Sequence, residues 1–279
     1  MSDPGIVGKM ASESAPGVHT SSTPATQRWA WAKVVSVRRW TGNLLSFSIS
    51  RPPEFRFTPG HYARLGLGED ADAIEWRPFS IVSAPAEDVL EFFAVLVPAG
   101  AFSNRLARVR VGDAIRIEKA AYGFLTVNQL ASGKHLWLLA SGTGLGPFVS
   151  ILRDKTSWRA FDRIVVVHSV RYPAELAYRD EIEQMDNAAG DANLRAKLHY
   201  LPVVTREPYS GALSARIPQL IEEGQLERAL GMELTREHSR VMVCGNPEMV
   251  KALRALLSAK GFQVNRRGVP GQMAFEKYW

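Results

Sequence analysis

The chain has 279 residues, with 34 Lys and Arg against 28 Asp and Glu, so its formal net charge is +6. Its one cysteine, Cys244, excludes an internal disulfide and an iron–sulfur cluster held by several thiolates of this chain. Apolar runs are far shorter than the roughly 18 residues that suggest a membrane span, and the 46% hydrophobic content is that of a globular protein. We therefore expect a two-domain, monomeric, cytoplasmic protein without a membrane partner.

The positive charge has more than one explanation. It fits an acidic protein partner or a cofactor with several phosphates, and it equally fits a surplus of solvated Lys and Arg. Nucleic acid binding is not predicted, because the sequence has no zinc-finger spacing, basic helix or aromatic RNA-binding signature. No metal site is predicted either.

Residues 1–28 differ in composition from the rest of the chain. They are rich in Ser, Thr, Ala, Pro and Gly and nearly lack large apolar side chains, which predicts a disordered extension. The segment has neither the apolar core of a signal peptide nor the arginines of a transit peptide. We interpret it as an untargeted tail or a mis-assigned start.

Residues 29–130 are predicted to form an antiparallel β-barrel. Leu45, Phe47 and Ile49 alternate with serines, the period-two pattern of a half-buried strand. Further strands are expected at 61–67, 79–83, 90–97 and 114–118, separated by Pro, Gly and Asp turns, with a short helix at 103–109.

The rhythm changes in residues 131–279, which are predicted to form an α/β domain. Apolar strands are expected at 136–140, 163–168, 197–204 and 241–244, and helices at 145–155, 173–185, 217–226 and 247–260. This alternation is typical of a parallel sheet covered on both faces. Ligands of such sheets bind beyond the carboxyl ends of the strands, where glycines cluster in this sequence.

The barrel half contains the run Arg-Pro-Phe-Ser at 77–80, at the start of a predicted strand. Arg77 is suited to a bidentate pyrophosphate contact. Phe79 could stack on a planar ring and Ser80 could bond its polar edge. Alternatively, the run is a strand with a surface arginine and a core phenylalanine.

The run Gly-Thr-Gly-Leu-Gly-Pro at 142–147 joins an apolar strand to a helix. Glycines let backbone amides approach phosphate, and a helix N-terminus adds a positive dipole. Pro147 suits the first helical turn. The spacing is not the G-x-G-x-x-G dinucleotide fingerprint, so a tight turn without a ligand is the alternative.

Three further segments are candidates for the same site. Cys244 ends the last apolar strand and fits either contact with a reacting ring or a small buried hydrophobic residue, and Asn246 is predicted to cap the next helix. Arg171, Arg206 and Arg216 lie near strand ends or helix starts. They are suited to hold a ribose phosphate, or alternatively they are ordinary surface residues. The aromatic side chains of Tyr278 and Trp279 are expected to pack against another group, either a planar ring or the domain cleft.

In this order the segments resemble the bacterial ferredoxin(flavodoxin)–NADP reductases of the plant-type reductase superfamily, in particular the subgroup that ends in Tyr-Trp. The resemblance covers about residues 30–279. The three runs at 77–80, 142–148 and 244–247 are similar to the family motifs Arg-x-Tyr-Ser, Gly-Thr-Gly-x-Ala-Pro-Phe and Cys-Gly-x-Pro. Phe79 in place of tyrosine and Gly146 in place of alanine are departures.

The resemblance implies FAD on the barrel and NADP on the α/β domain. FAD contacts are implied for Arg77, Pro78, Phe79, Ser80, Phe93, Ala94, Val95, Leu96, Ala101, Phe102, Ser103, Tyr278 and Trp279. NADP contacts are implied for Thr143 at the junction of flavin and nicotinamide, and for Arg171, Thr205, Arg206 and Arg216 near the 2′-phosphate. The implied catalytic group is Ser80, Cys244, Glu276 and Tyr278.

The implied activity is hydride transfer between NADPH and N5 of FAD, followed by single-electron transfer to an acidic ferredoxin or flavodoxin. Tyr278 is expected to give way to the nicotinamide and so to gate turnover. Two rival hypotheses remain. One is the reductase component of an oxygenase system, and the other is a non-catalytic flavin-binding redox sensor.

Overall fold

The computed structural model describes residues 27–68, 74–187, 194–266 and 268–277, so most of the predicted N-terminal extension lies outside the described residues. The first domain is a six-stranded antiparallel sheet with the strand order β4-β3-β6-β1-β2-β5. Its strands are β1 (Trp29–Arg39), β2 (Leu44–Ser50), β3 (Tyr62–Leu67), β4 (Glu75–Ser80), β5 (Val89–Val95) and β6 (Ala114–Glu118). The helix α1 (Ala101–Leu106) packs against β3 and β4.

The barrel is nearly closed by the chain that follows β4. Ile81 bridges Phe92 on β5, and the amide of Val82 donates to the Glu91 carbonyl at 2.8 Å. Because the chain crosses to β5 at Ile81, β4 ends at Ser80. The strand predicted at 79–83 was therefore placed too late, and the run at 77–80 ends its strand rather than starting it.

Strand β2 is buried on both faces, so the prediction of a half-buried strand was wrong. Ser46 and Ser48 are only 3% and 8% exposed. Trp40 covers this outer face, and its Nε1 donates to Ser46 Oγ at 3.3 Å. The serine hydroxyls let a polar face be buried, because buried polar groups are tolerated where they are hydrogen-bonded.

The second domain is a five-stranded parallel sheet with the order β11-β10-β7-β8-β9. Its strands are β7 (His135–Ser141), β8 (Arg163–Val170), β9 (Lys197–Val204), β10 (Ser239–Gly245) and β11 (Met273–Lys277). The helices are α2 (Gly146–Arg153), α3 (Lys155–Ala160), α4 (Arg179–Asn187), α5 (Ile217–Glu222), α6 (Gln225–Leu230) and α7 (Pro247–Ala259). Short 3₁₀ turns occupy Val127–Gln129, Gly142–Leu145 and Pro173–Glu175.

Local breaks interrupt or shorten three of the predicted helices. Asp154 caps α3 by accepting the Thr156 amide at 3.4 Å, so the helix predicted at 145–155 ends at Arg153, and α3 beyond it was not predicted. Gly224 has a φ of +66° and separates α5 from α6. Tyr178 has a φ of +60°, so α4 starts only at Arg179. The helix expected at 103–109 is shorter and begins at Ala101, and β11 was not predicted as a strand.

One apolar cluster runs through both domains. It includes Leu44, Val82 and Phe93 from the barrel and Leu145 and Phe148 from the α/β domain. The two domains are therefore packed through a shared core, which holds their facing edges together. In the described parts of the chain, no helix is long and apolar enough to cross a membrane.

Candidate active site

Two turns at the carboxyl edge of the parallel sheet touch each other through glycines. A Cβ on Gly144 would lie 2.3 Å from the Cys244 carbonyl oxygen, and a Cβ on Gly245 would lie 2.3 Å from Ser141 Oγ. Such distances exclude any side chain, so glycine is required at both positions. Gly142 has a φ of +53°, and a Cβ there would meet nothing within 4 Å. The turn after β7 is thus packed against the turn after β10 at Gly144 and is open at Gly142.

The cysteine turn after β10 is held by hydrogen bonds. Asn246 Oδ1 accepts the amides of Glu248 at 2.9 Å and Met249 at 3.3 Å, which confirms the predicted cap of α7. The amide of Asn246 in turn donates to Ser141 Oγ at 2.9 Å. The ends of β7 and β10 are therefore fixed to each other.

A buried histidine supports the first turn from below. His168 on β8 is fully buried, and its Nε2 lies 3.1 Å from the Gly142 carbonyl oxygen. Since a carbonyl only accepts, Nε2 carries the proton, and Nδ1 accepts from the Tyr200 hydroxyl at 3.4 Å. Burial lowers the pKa of His168 to about 4, so the ring is neutral at physiological pH.

The structure brings three predicted side chains together at the domain junction. Cys244 and Glu276 are register partners on β10 and β11, and Ser80 Oγ at the end of β4 lies 3.2 Å from Glu276 Oε1. Burial raises the pKa of Glu276 to about 7. The Cys244 side chain is fully buried. A carboxyl that changes its charge near neutral pH is thus joined to the barrel hydroxyl.

The aromatic residue of the 77–80 run faces the barrel interior. The Phe79 ring lies 5.3 Å from the Phe102 ring and 6.3 Å from the Phe47 ring, and it is half-buried. Pro78 and Arg77 are exposed, and Arg77 Nη2 pairs with Glu75 Oε2 at 3.0 Å. Phe79 is therefore fixed by packing, whereas Arg77 is held only at the surface.

Strand β5 presents an open edge beside this run. Over Phe93–Val95 its hydrogen-bonded neighbour is β2, and no other described strand pairs with its outer edge there. Ala94 joins the barrel core, Phe93 faces the α/β domain, and the Leu96 amide donates to the Asn43 carbonyl at 2.7 Å. Among the described strands none covers this edge, so it is accessible to a ligand.

Helix α1 begins beside the same edge of the barrel. Phe102 is buried, Ala101 is exposed, and Ser103 Oγ accepts the Val97 amide at 3.0 Å. The first-turn amides of a helix have no intrahelical acceptor. The Ser103 hydroxyl, by contrast, is already used in closing the 97–100 turn.

The predicted phosphate arginines lie along the carboxyl edge of β8 and β9. The Arg206 amide donates to the Arg171 carbonyl at 3.0 Å, and the Thr205 amide and hydroxyl both donate to the Val170 carbonyl. Arg216 precedes α5 as its N-cap residue, and all three arginine side chains are exposed. Arg171 and Arg206 are thus neighbours, and Arg216 lies on the same edge of the sheet.

Some residues of the site were missed from the sequence. Gly123 borders Glu276, since a Cβ on Gly123 would lie 3.5 Å from Glu276 Oε2, and on its other side 3.3 Å from the Tyr62 ring. His168 interrupts an otherwise apolar strand, which was an available signal. Tyr278 and Trp279 lie outside the described residues.

Comparison with known proteins gives this geometry a family. Residues 29–111 match the FAD-binding domain family, and residues 138–255 match the oxidoreductase NAD-binding domain family. The chain is 37% identical over 252 residues to the flavodoxin/ferredoxin–NADP reductase of Escherichia coli (strain K12), covering 90% of this chain and 99% of that protein. The chain belongs to the ferredoxin/flavodoxin–NADP reductase family. The ferredoxin–NADP reductase A of Sorangium cellulosum is 38% identical over 248 residues, 88% of each chain.

A solved structure supports the same assignment for this member of the reductase family. The ferredoxin NADP⁺ reductase of Neisseria gonorrhoeae, with bound FAD and NADP, has a TM-score of 0.84 and 37% identity over 90% of this chain and 99% of that chain. The predicted fold class, an antiparallel barrel followed by a parallel-sheet domain, is confirmed. The chain is an FAD-dependent oxidoreductase, and the expected cofactors FAD and NADP agree with both domain families.

Proposed function

We propose that the protein transfers hydride between NADPH and FAD and exchanges single electrons with a ferredoxin or flavodoxin. The observation that carries this proposal is the contact between Ser80 of the barrel and Glu276 of the α/β domain, beside the open turn at Gly142. The bound cofactor pair supplies the redox chemistry, and the protein binds, orients and shields it.

The barrel residues fit a flavin dinucleotide. The open edge of β5 over Phe93–Leu96 offers backbone donors and acceptors to the ring, and Phe79 offers an aromatic face. Arg77 and the first turn of α1 (Ala101, Phe102 and Ser103) offer a guanidinium and amides to the pyrophosphate. Phe79 packs on Phe102 of α1. The residue proposed to contact the flavin ring and the helix proposed to contact the pyrophosphate therefore stabilise each other.

The residues of the parallel sheet fit a pyridine dinucleotide. The turn at Gly142–Leu145 is exposed at Gly142, and its Thr143 is buried. The sheet edge carries exposed guanidinium groups, those of Arg171, Arg206 and Arg216. Thr205 follows β9 and is bonded to Val170 at the end of β8. Guanidinium groups at this edge favour a 2′-phosphate, and hence NADP over NAD.

Glu276, which lies where the barrel meets the α/β domain, is protonated and uncharged at low pH. Glu276 carries its proton on a carboxyl oxygen below a pH of about 7, and Ser80 orients Oε1. At neutral pH the carboxyl therefore accepts or releases a proton with little cost. Cys244 orders the same corner by packing, and its contact with the nicotinamide is part of the proposal.

The remaining predictions belong to the same proposal. Tyr278 shields the flavin face that the nicotinamide must reach and gates turnover, and Trp279 lies along FAD. The partner is an acidic carrier, the protein is a monomer, and it works in the cytoplasm. Loss of Tyr278 and Trp279 should change the affinity for both NADP and NAD, which titration of a truncated variant measures.

The test of the main proposal is an anaerobic visible spectrum. The purified protein should be yellow, should lose its flavin colour when NADPH is added, and should regain it when an oxidised ferredoxin or flavodoxin is added. A protein that binds FAD but is not bleached by NADPH would be the redox sensor. A protein that transfers electrons only to an oxygenase would be that system's reductase component.

Cofactor choice is tested separately at the arginine edge. Arg216→Ala should weaken NADPH binding far more than NADH binding, because only NADPH carries the 2′-phosphate. Equal losses for the two nucleotides would contradict the assignment of Arg216.

A further inference from the structure

Glu91 on β5 is the centre of a hydrogen-bonded group that joins the two domains. Its Oε1 accepts the Tyr178 hydroxyl at 2.8 Å, and its Oε2 accepts Arg153 Nη1 at 2.7 Å. Glu91 belongs to the barrel, whereas both donors belong to the α/β domain. We call Glu91, Arg153 and Tyr178 the interdomain triad.

Tyr178 is held in a backbone conformation that a bulky residue rarely adopts. Its φ is +60°, and its side chain is buried. Its ring lies 4.9 Å from the Trp40 ring and 5.1 Å from the Phe93 ring, and both of these belong to the barrel. Such strain persists where surrounding contacts over-determine the residue, so the barrel contacts of Tyr178 stabilise its position.

Arg153 connects the triad to the nucleotide-binding turn. It is the last residue of α2, and the first residue of that helix, Gly146, belongs to the turn at 142–147. A Cβ on Gly146 would lie 3.8 Å from the Phe93 Cβ. Midway along the helix, Ser150 Oγ donates to the Ser83 carbonyl at 2.6 Å. Helix α2 is therefore attached to the barrel at its start, middle and end.

Arg153 is surrounded by carboxylates from both domains. Its guanidinium also pairs with Glu181 of α4 at 2.7 Å and lies 3.6 Å from Glu87 of the barrel. One arginine thus faces three carboxylates from both domains. Loss of the Glu91 charge would leave Arg153 paired with Glu181 of its own domain at 2.7 Å, and with Glu87 of the barrel only at 3.6 Å. The attachment of α2 to the barrel at this end would therefore weaken.

We propose that the interdomain triad positions the nicotinamide turn relative to the open edge of β5, so that its loss slows hydride transfer without weakening either cofactor. Phe93, which Tyr178 contacts, lies two residues after Glu91 on that edge. The inference rests on the proposed sites of FAD and NADP. Misplacement of reacting groups by about 1 Å through a distant substitution can lower the rate by up to about 10²-fold.

The barrel itself contains a matched control. Glu118 accepts Arg64 Nη1 at 2.8 Å and the Tyr122 hydroxyl at 2.9 Å, all within one domain. The glutamate side chains are similarly buried, 12% exposed for Glu118 and 17% for Glu91. The same three residue types therefore form a group between the domains and a group inside the barrel.

The experiment compares Glu91→Gln and Tyr178→Phe with Glu118→Gln and the wild type. Anaerobic stopped-flow mixing with NADPH measures flavin bleaching over a range of NADPH concentrations. Both triad variants should lower the limiting rate about tenfold, with the NADPH concentration for half-maximal rate and the FAD content unchanged. Glu118→Gln should stay within about twofold of the wild type.

The possible results separate two failures. A wild-type flavin that NADPH does not bleach ends the proposed function itself. If the wild type is bleached and both triad variants react at its rate, the positioning role is wrong. It is also wrong if Glu118→Gln slows bleaching equally, or if the loss is confined to nucleotide affinity. Should Glu91→Gln lose FAD during purification, Tyr178→Phe decides, since it removes one hydroxyl from a retained ring.

Discussion

The two sides of the domain junction are built in opposite ways. On the α/β side, the turns after β7 and β10 are packed against each other by glycines and supported by the buried His168. On the barrel side, Arg77 is exposed and the edge of β5 is open. The turns on the nucleotide side are thus fixed by backbone packing, whereas Arg77 and the edge of β5 on the flavin side are exposed. Substitutions in the glycine turns should therefore affect folding, and substitution of Arg77 should affect cofactor affinity.

The largest effect is expected for Gly144→Ala. A Cβ 2.3 Å from a backbone carbonyl forces the two turns apart, and overpacking of this kind costs about 3 kcal/mol or more. Thermal unfolding should show a markedly lower Tm, together with loss of NADPH-dependent bleaching.

Gly146→Ala is the matched control in the same turn. There a Cβ lies 3.5 Å from Val82, an ordinary contact, and alanine favours a helix start. The variant should be as stable as the wild type or more so. Equal destabilisation by both substitutions would show that the close approach of Gly144 to Cys244 is not the cause of the loss.

The next effect is the pH dependence of stability from His168. Its folded pKa of about 4 lies below its unfolded value near 6.5, so the unfolded chain binds the proton in between. Stability should fall as pH falls from about 6.5 to 4, by roughly 3 kcal/mol. His168→Gln should remove this loss, which urea unfolding at several pH values measures. An unchanged slope in the variant would assign the titration to another group.

Glu276 should give a smaller slope of opposite sign. Its folded pKa of about 7 lies above the ordinary 4.5, so the folded chain binds the proton more tightly. Stability from this group should decrease as pH rises from about 4.5 to 7. Its partial exposure reduces the size through solvent screening. Glu276→Gln should remove the decrease in the same unfolding series, and a persistent decrease would contradict the raised pKa.

The smallest change in folding is expected on the barrel side. Arg77→Ala removes an exposed pair with Glu75, which contributes under about 1 kcal/mol. The Tm should hardly move, whereas the Kd for FAD should rise about tenfold, as expected for loss of a charged hydrogen bond to phosphate. Arg64→Ala is the control, because Arg64 also pairs with a glutamate at 2.8 Å and is similarly exposed. FAD titration of the apoprotein compares the two.

Local patterns were enough to predict the architecture. The change from period-two strands to alternating strands and helices separated a barrel from a parallel sheet, and the runs at 77–80, 142–147 and 244–247 indicated the cofactors. Asn246 was predicted as a cap because capping depends on residues two and three positions away. The helix breaks at Asp154 and Gly224 also carried local signals, which the apolar periodicity obscured.

Long-range packing decided the rest. Ser80 and Glu276 meet across 196 residues of chain, and the raised pKa of Glu276 exists only because that corner is buried. No local pattern predicts that Tyr178 adopts a left-handed backbone, since the barrel supplies the contacts that hold it. By itself the sequence determined the two domains and their motifs, because hydrophobic period and turn chemistry act between near neighbours. Only the tertiary structure decided which side chains share the junction, because desolvation and hydrogen bonding there depend on two domains closing on each other.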